Sequence, residues 1–419
     1  MGLQLTSKEK QDLIEFITKY YSQFELRSLG RCLEISEDEY YNHMRLAQEN
    51  SEVFVERVCQ LSKQDQLFDL IRNNSQFRRG VEIWRKEEIE TSNKVEEAIK
   101  EQTKSILHLS DIHIENMQQA REYRMQLKTD LRMGLGVEEI DFLVISGDIA
   151  NTATKEEYDA AKELIKGIME NFKISDENIV IVPGNHDLNW DCCKEAVISS
   201  EGEEIEFDEE VYKLKFKNFN DFFYQPICKV AYPTEYDQQG ILYKNKKEKI
   251  IFLGLNSAWQ IDHINKQRAS INLTSLEHPF DIIMQGDYTE WLKIAVFHHA
   301  VRTADSMNDE FLQLLIRQGF KICMHGHIHE AQYDFASYGS NKEIAIIGAG
   351  TFGAPTKEYV PGIPLQYNFI KLNQTRDSVK VMTRKKERIH GAWEADARWG
   401  DKDKPDTFYE IKISDSFYN

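Results

Sequence analysis

The chain has no apolar run near the roughly 20 residues that a membrane-spanning helix needs, so no bilayer span is expected. Its opening, MGLQLTSKEKQ, turns polar at once and offers no apolar leader core, so a secretory leader is not expected either. Cysteine is sparse. Cys32, Cys59, Cys192, Cys193, Cys228 and Cys323 form no CxxC pair, which argues against thiolate zinc sites and leaves reduced thiols in a cytoplasmic protein as the expectation. Positive charge is also short, with 52 Lys and Arg against 70 Asp and Glu and a formal net charge of −18. That balance disfavours generic coating of nucleic acid, although a local basic channel or a metal centre could still attract phosphate.

Proline is missing before residue 100 and glycine occurs there only at positions 2, 30 and 80, so residues 1–88 read as a small all-helical domain. Thr6 and Glu9 have capping-box spacing, and Leu13, Ile14, Ile17, Tyr20, Tyr21 and Phe24 follow at helical spacing. Phe54, Val55, Val58 and Leu61, then Leu67, Phe68, Leu70 and Ile71, mark further amphipathic stretches. Residues 89–103 are highly charged and read as a linker. The pattern then changes to short apolar runs at Ser105–Ser110, Phe142–Ser146, Ile179–Val182, Ile250–Leu255, Leu292–Phe297, Lys321–Met324 and Ile344–Ile347. Helical stretches such as Lys155–Phe172 lie between them, and this alternation predicts an α/β domain with buried sheets over residues 104–385. Leu365–Leu372 and Ser378–Thr383 read as a closing hairpin, and residues 386–419 as an extension packed on that domain.

Five polar blocks sit where those runs end: Asp111-Ile112-His113, Gly147-Asp148, Gly184-Asn185-His186-Asp187, His298-His299 and Gly326-His327-Ile328-His329. Loops leaving the carboxyl ends of strands are where α/β folds place their sites. The blocks supply carboxylate, amide and imidazole donors and no thiolate. Such a set exceeds the needs of one zinc ion and suits two divalent ions sharing a carboxylate, an arrangement that clamps the attacking and leaving oxygens of a phosphoryl displacement. Mixed nitrogen and oxygen donors suit manganese, iron, zinc or cobalt, among which affinity order alone does not choose, and two manganese ions are the expectation.

The ordered set D-x-H, G-D, G-N-H-D, H-H, G-H-x-H resembles the calcineurin-like metallophosphoesterase superfamily over roughly residues 104–385. The resemblance implies a four-layer α/β/β/α sandwich preceded by the small helical domain, and hydrolysis of phosphate esters. It also implies that Asp111, His113 and His329 hold one ion, that Asn185, His298 and His327 hold the other, and that Asp148 bridges both. His186 would protonate the leaving oxygen, and Asp187 would orient His186. GDIANTA and GNHD lack the arginines of the G-D-x-x-D-R-G protein-phosphatase pattern, and the stretch GDIANTATKEEYDAAKELI looks closer to the cyclic-nucleotide phosphodiesterase branch. A phosphodiester of a nucleotide or nucleic acid is therefore the expected substrate. A DNA or RNA nuclease is the rival enzyme, and a catalytically idle scaffold is the reading from another class.

Around these blocks, His108 reads as a packed core histidine, and His299 and His325 as flanking support. Asn189 and Trp190 could wall a substrate cleft or simply pack, and Asn256 and Trp259 admit the same two readings. At the front, LTSKEKQDLIEFITKYYSQFELRSLGRCL and LFDLIRNN resemble the effector-associated domain, a death-fold-like adaptor of bacterial conflict systems. That resemblance implies a bacterial effector with a protein partner bound through residues 1–88.

Overall fold

The computed structural model describes residues 5–73, 103–199, 206–301, 307–328, 330–338, 343–353, 363–401 and 404–413. It divides into two compact units, Met1–Glu101 and Gln102–Asn419. The expected linker, apart from Thr103, and the candidate ligand His329 lie outside the described residues.

In the first unit, α1 (Ser7–Tyr20), α2 (Gln23–Cys32), α3 (Ala47–Gln60) and α4 (Gln64–Asn73) enclose a core of Leu13, Ile17, Leu26, Leu29, Phe54, Val58 and Leu67. The capping box at the start of α1 forms as expected. Thr6 Oγ1 accepts from Glu9 N at 3.3 Å, and the Glu9 carboxylate accepts from Thr6 N at 2.7 Å. Ser22 and Glu25 make the same box at the start of α2, so the chain breaks helix at Tyr21 and restarts. Phe24 therefore begins a new helix and is 65% exposed, unlike its expected place on the α1 face.

The second unit holds two stacked sheets. Its main strands are β1 (Lys104–Leu109), β2 (Phe142–Ser146), β3 (Ile179–Val182), β4 (Gly240–Asn245), β5 (Ile250–Leu255), β6 (Leu292–Val296), β7 (Ile322–His325), β8 (Gln332–Ser337), β9 (Glu343–Gly348), β10 (Leu365–Leu372), β11 (Ser378–Lys386), β12 (Glu394–Ala395) and β13 (Tyr409–Lys412). One sheet runs β12-β11-β10-β1-β2-β3, with β13 also paired to β11; the other runs β8-β9-β7-β6-β5-β4. Within them β1, β2 and β3 are parallel, as are β5, β6 and β7, so the polar blocks leave at carboxyl ends.

Alternation along each strand explains the layering. Ile106, Phe142, Val144 and Val180 of the first sheet meet Phe252, Ile294, Val296 and Met324 of the second in the central core. The opposite faces are also covered. Leu107, Leu143 and Ile145 pack under α5 (Met117–Thr129) and α6 (Lys155–Phe172), while Leu253, Ala295 and Cys323 pack under α7 (Glu277–Gln285) and α8 (Glu310–Arg317). Strands buried on both faces read as unbroken apolar runs, which is why the sequence shows them so clearly. The result is the expected α/β/β/α sandwich. The hairpin β10–β11 runs further than expected, with Leu365 opposite Lys386. Among the described residues, no helix is long and apolar enough to cross a membrane.

Candidate metal centre

Each sheet ends its central strands at one place, and the backbone there is unusual. Asp111, His113, Asp148 and His327 have φ of 50°, 45°, 52° and 61°, the left-handed region that side chains with a Cβ avoid. Such conformations cost about 1–3 kcal/mol each and persist where the surroundings enforce them. Here neighbouring blocks lock one another. Asp111 N donates to Gly147 O at 3.0 Å, Ile112 N and His113 N to Asp148 O at 2.8 and 3.1 Å, and Gly326 N to His298 O at 3.0 Å. Carboxylates reinforce the lattice: Asp111 Oδ2 accepts from His327 N at 2.9 Å, and Asp148 Oδ1 from His186 N at 2.8 Å. Strain is thus concentrated where side chains must be aimed at a common point.

The aimed atoms do meet. Asp111, Asp148, His298 and His327 offer ligand atoms all within 4.8 Å of one another, and His113, Asp148 and His186 do the same. Asp148, 1% exposed, belongs to both groups, as an ion-bridging carboxylate must. Asn185 brings its side chain to this region on the turn after β3, with a buried Oδ1 that has no partner.

His298 tests whether these residues fit a cation. Its Nδ1 lies 2.7 Å from the Ser146 carbonyl, which can only accept, so the ring proton sits on Nδ1. Nε2 then turns a lone pair toward Asp148 Oδ2 at 3.1 Å, close but not aligned as a hydrogen bond, and without other partner. Two acceptors at that distance repel unless a positive centre joins them. Without a metal only a proton can do so: burial alone would lower the His298 pKa, but the Asp148 carboxylate overrides it and pushes it up to about 9. Asp148 is in turn held well below the usual carboxylate range, because the neighbouring imidazoles outweigh its own burial. His113 Nδ1 is a further buried atom without a partner. The donor set fits divalent ions, and Asp111, His113, Asp148, Asn185, His298 and His327 would hold them.

His186 and Asp187 differ from expectation in one contact. His186 has Nδ1 2.8 Å from the Asn151 carbonyl, so a backbone oxygen, not Asp187, orients its ring. Asp187 is fully buried and occupied elsewhere. Its carboxylate accepts from Ile149 N, Ala150 N and Gly184 N at 2.9–3.3 Å and from the Tyr158 hydroxyl at 3.2 Å. It therefore knots the Asp148 loop, the Asn185 turn and α6 together. Burial and the nearby Asp148 push its carboxyl up to about 6, against the lowering effect of the three N–H donors.

Ser257 has no motif signal and yet sets the His298-His299 corner. Its hydroxyl oxygen accepts from His298 N at 3.2 Å and His299 N at 3.0 Å, so its own proton goes to His299 Nδ1 at 2.8 Å. His299 consequently carries its proton on Nε2, and its ring lies close enough to His298 and His327 to form a further candidate ligand group with them. Asn189 caps the short helix Trp190–Glu195, accepting from Asp191 N and Cys192 N, and Trp190 is partly buried with the Lys266 ammonium 5.9 Å from its ring centre. Asn256 is tied to Gln239 and Ala258, and Trp259 packs on Tyr236. His108 is a core residue as expected, bonded to the Ser146 hydroxyl, with burial pushing its pKa down to about 3. His325 stacks on Phe297.

A 213-residue stretch is 26% identical to an uncharacterised metallophosphoesterase-like protein, YydB, of Bacillus subtilis strain 168, covering 48% of this chain and 43% of that one. The chain thus spans less than half the length of that relative. Among solved structures, it is similar to a purple acid phosphatase from yellow lupin seeds at 14% identity and a TM-score of 0.42, over 68% of this chain and 51% of that one. It is also similar to a putative 5'-nucleotidase of Staphylococcus aureus, at 10% identity and a TM-score of 0.33, over 76% of this chain and 56% of that one. The model of the calcineurin-like phosphoesterase family matches residues 104–331, more than half the chain. With its His/Asp cluster at the strand ends, the chain belongs to that family.

Proposed function

We propose that the chain is a dinuclear, manganese-preferring phosphodiesterase acting on a nucleotide or nucleic acid. The observation that carries the reading is Asp148, buried and shared by two ligand groups whose other members come from both sheets. When bound, a pair of divalent ions supplies Lewis acidity and a nucleophile deprotonated near neutral pH. The chain's own residues do the rest. Asn151 holds His186 Nδ1, which leaves Nε2 as the ring atom that can serve a leaving oxygen. Ser257 keeps His299 as a neutral donor, since burial and the adjacent His298 hold its pKa well below the usual imidazole value.

Diesters are favoured because the loops at 147–153 and 184–190 contain no arginine to grip a doubly charged monoester. The partly buried Trp190, with the Lys266 ammonium 5.9 Å from its ring centre, is the aromatic side chain whose remaining exposed surface a base would meet. The net charge of −18 favours a small nucleotide over long nucleic acid. Residues 1–88, by their adaptor-like sequence, would recruit the enzyme to a protein partner in a bacterial defence response, and the compact core of α1–α4 supports a separate module.

The test compares aryl phosphodiester and monoester hydrolysis, then cyclic nucleotides, single-stranded DNA and duplex DNA, all with manganese. Diester preference with turnover of nucleotides supports the proposal. Preference for DNA makes the chain a nuclease, and no turnover of any ester makes it a scaffold.

A further inference from the structure

His327 follows β7 by two residues, and Ala331, where the family match ends, is held by residues from beyond that match. Ala331 is 4% exposed, and side chains bind both of its backbone groups. Its N–H donates to Gln366 Oε1 at 2.8 Å, and its carbonyl accepts from Arg398 Nη2 at 2.6 Å. Asp396 joins the two arms. Its Oδ2 accepts from Gln366 Nε2 at 2.6 Å and lies 3.1 Å from Arg398 Nε. Gln366 is fully buried in β10, and Asp396 is 4% exposed and fixed by its own N–H to Thr383 O at 3.0 Å. Arg398 also pairs with Glu330 at 3.3 Å. The carbonyl at 331 thus receives one prong of a planar fork, while a second prong rests on a buried carboxylate.

We infer that Gln366, Asp396 and Arg398 are positioning residues of the metal centre: the C-terminal segment clamps Ala331 and thereby sets the aim of His327. The upstream side of this stretch is held by Asp111 Oδ2 on His327 N and His298 O on Gly326 N. The downstream side has the clamp. His327 has φ of 61°, a conformation that persists where the surroundings enforce it. Residues outside the matched domain therefore govern the affinity of the ion His327 would bind. This inference rests on the metal-centre reading above.

The test is calorimetric titration of the full-length chain with Mn2+ for the wild type, Arg398→Ala, Arg398→Lys, Asp148→Ala and Val381→Ala, the last a buried β11 residue in the central core. Arg398→Ala is expected to weaken one Mn2+ site about 10- to 100-fold, the usual effect of removing a residue that orients a ligand. Arg398→Lys, a point charge without the fork, falls between the two. Val381→Ala lowers the melting temperature and leaves Mn2+ affinity unchanged. Wild-type affinity in folded Arg398→Ala overturns the inference, and so does equal weakening in Val381→Ala, which would show that affinity merely follows stability. If the wild type and Asp148→Ala both fail to bind Mn2+, the metal-centre reading itself falls and takes the clamp with it.

Discussion

Gly184 stands immediately before Asn185, and its φ of −110° is open to any residue, so an alanine there meets no backbone penalty. The added Cβ would lie 2.2 Å from Asp148 Oδ1 and 2.6 Å from Asp148 N. Relieving the first contact to an ordinary 3.4 Å requires the carboxylate to move by about 1.2 Å, and it also breaks the His186 N to Asp148 Oδ1 bond. Overpacking of that kind costs about 1–3 kcal/mol of stability. The catalytic loss is larger, because a misplacement of about 1 Å at a reacting centre costs on the order of 100-fold. Gly136→Ala separates the two effects: its φ is +65° and no atom lies within 4 Å of the added Cβ, so it costs about 1–2 kcal/mol through the backbone alone. Thermal melts and diester hydrolysis with saturating manganese give both quantities. We expect a similar loss of stability in the two variants and loss of turnover in Gly184→Ala only. Full turnover in Gly184→Ala would refute the placement of Asp148 at the centre of the chemistry.

Four further outcomes are expected. Asp148→Ala loses more than about 100-fold in turnover, since the shared carboxylate serves both ions, and colorimetric diester hydrolysis measures it. Asp187→Ala leaves three buried N–H groups without their acceptor and destabilises by at least about 3 kcal/mol, read by urea unfolding. Lys386, buried against Tyr123 and Trp393, has its pKa pushed down to about 8 by desolvation, so the unfolded chain binds more protons above that pH. Relative to Lys386→Met, the wild type gains stability from pH 8 toward pH 10, by on the order of 2–3 kcal/mol, and unfolding at a series of pH values checks the sign. Deleting residues 1–100 leaves turnover of a small aryl diester intact; its disappearance would end the two-module picture.

Legibility in the sequence followed burial. Strands β2, β3 and β5 begin and end where the apolar runs say they should, because each is buried on both faces, and the helix α6 spans the expected Lys155–Phe172 because one apolar face packs on the sheet while Lys155, Glu156, Lys166 and Glu170 stay exposed. The edge strand β8 left no such trace. Gln332–Ser337 is mostly exposed and polar, and its pairing to β9 is a backbone matter. The ligand blocks were legible because their chemistry demands rare residue types at strand ends. The supporting contacts were not. Asn151 acts through its carbonyl, which any residue possesses, and Ser257 through a hydroxyl common to the whole chain. Asp187 carries a motif position, but which neighbour its carboxylate chooses depends on three N–H groups that only the fold brings together. Gln366, Asp396 and Arg398 reach Ala331 from up to 67 residues away, a separation at which no periodicity survives.

Electron paramagnetic resonance of the Mn2+-loaded chain tests the central claim most directly. Two ions sharing Asp148 would lie about 3.5–4 Å apart, close enough for exchange coupling. The account predicts a coupled dinuclear signal at two equivalents of Mn2+ that is lost in Asp148→Ala. Two independent mononuclear signals in the wild type, unchanged in that variant, would contradict it.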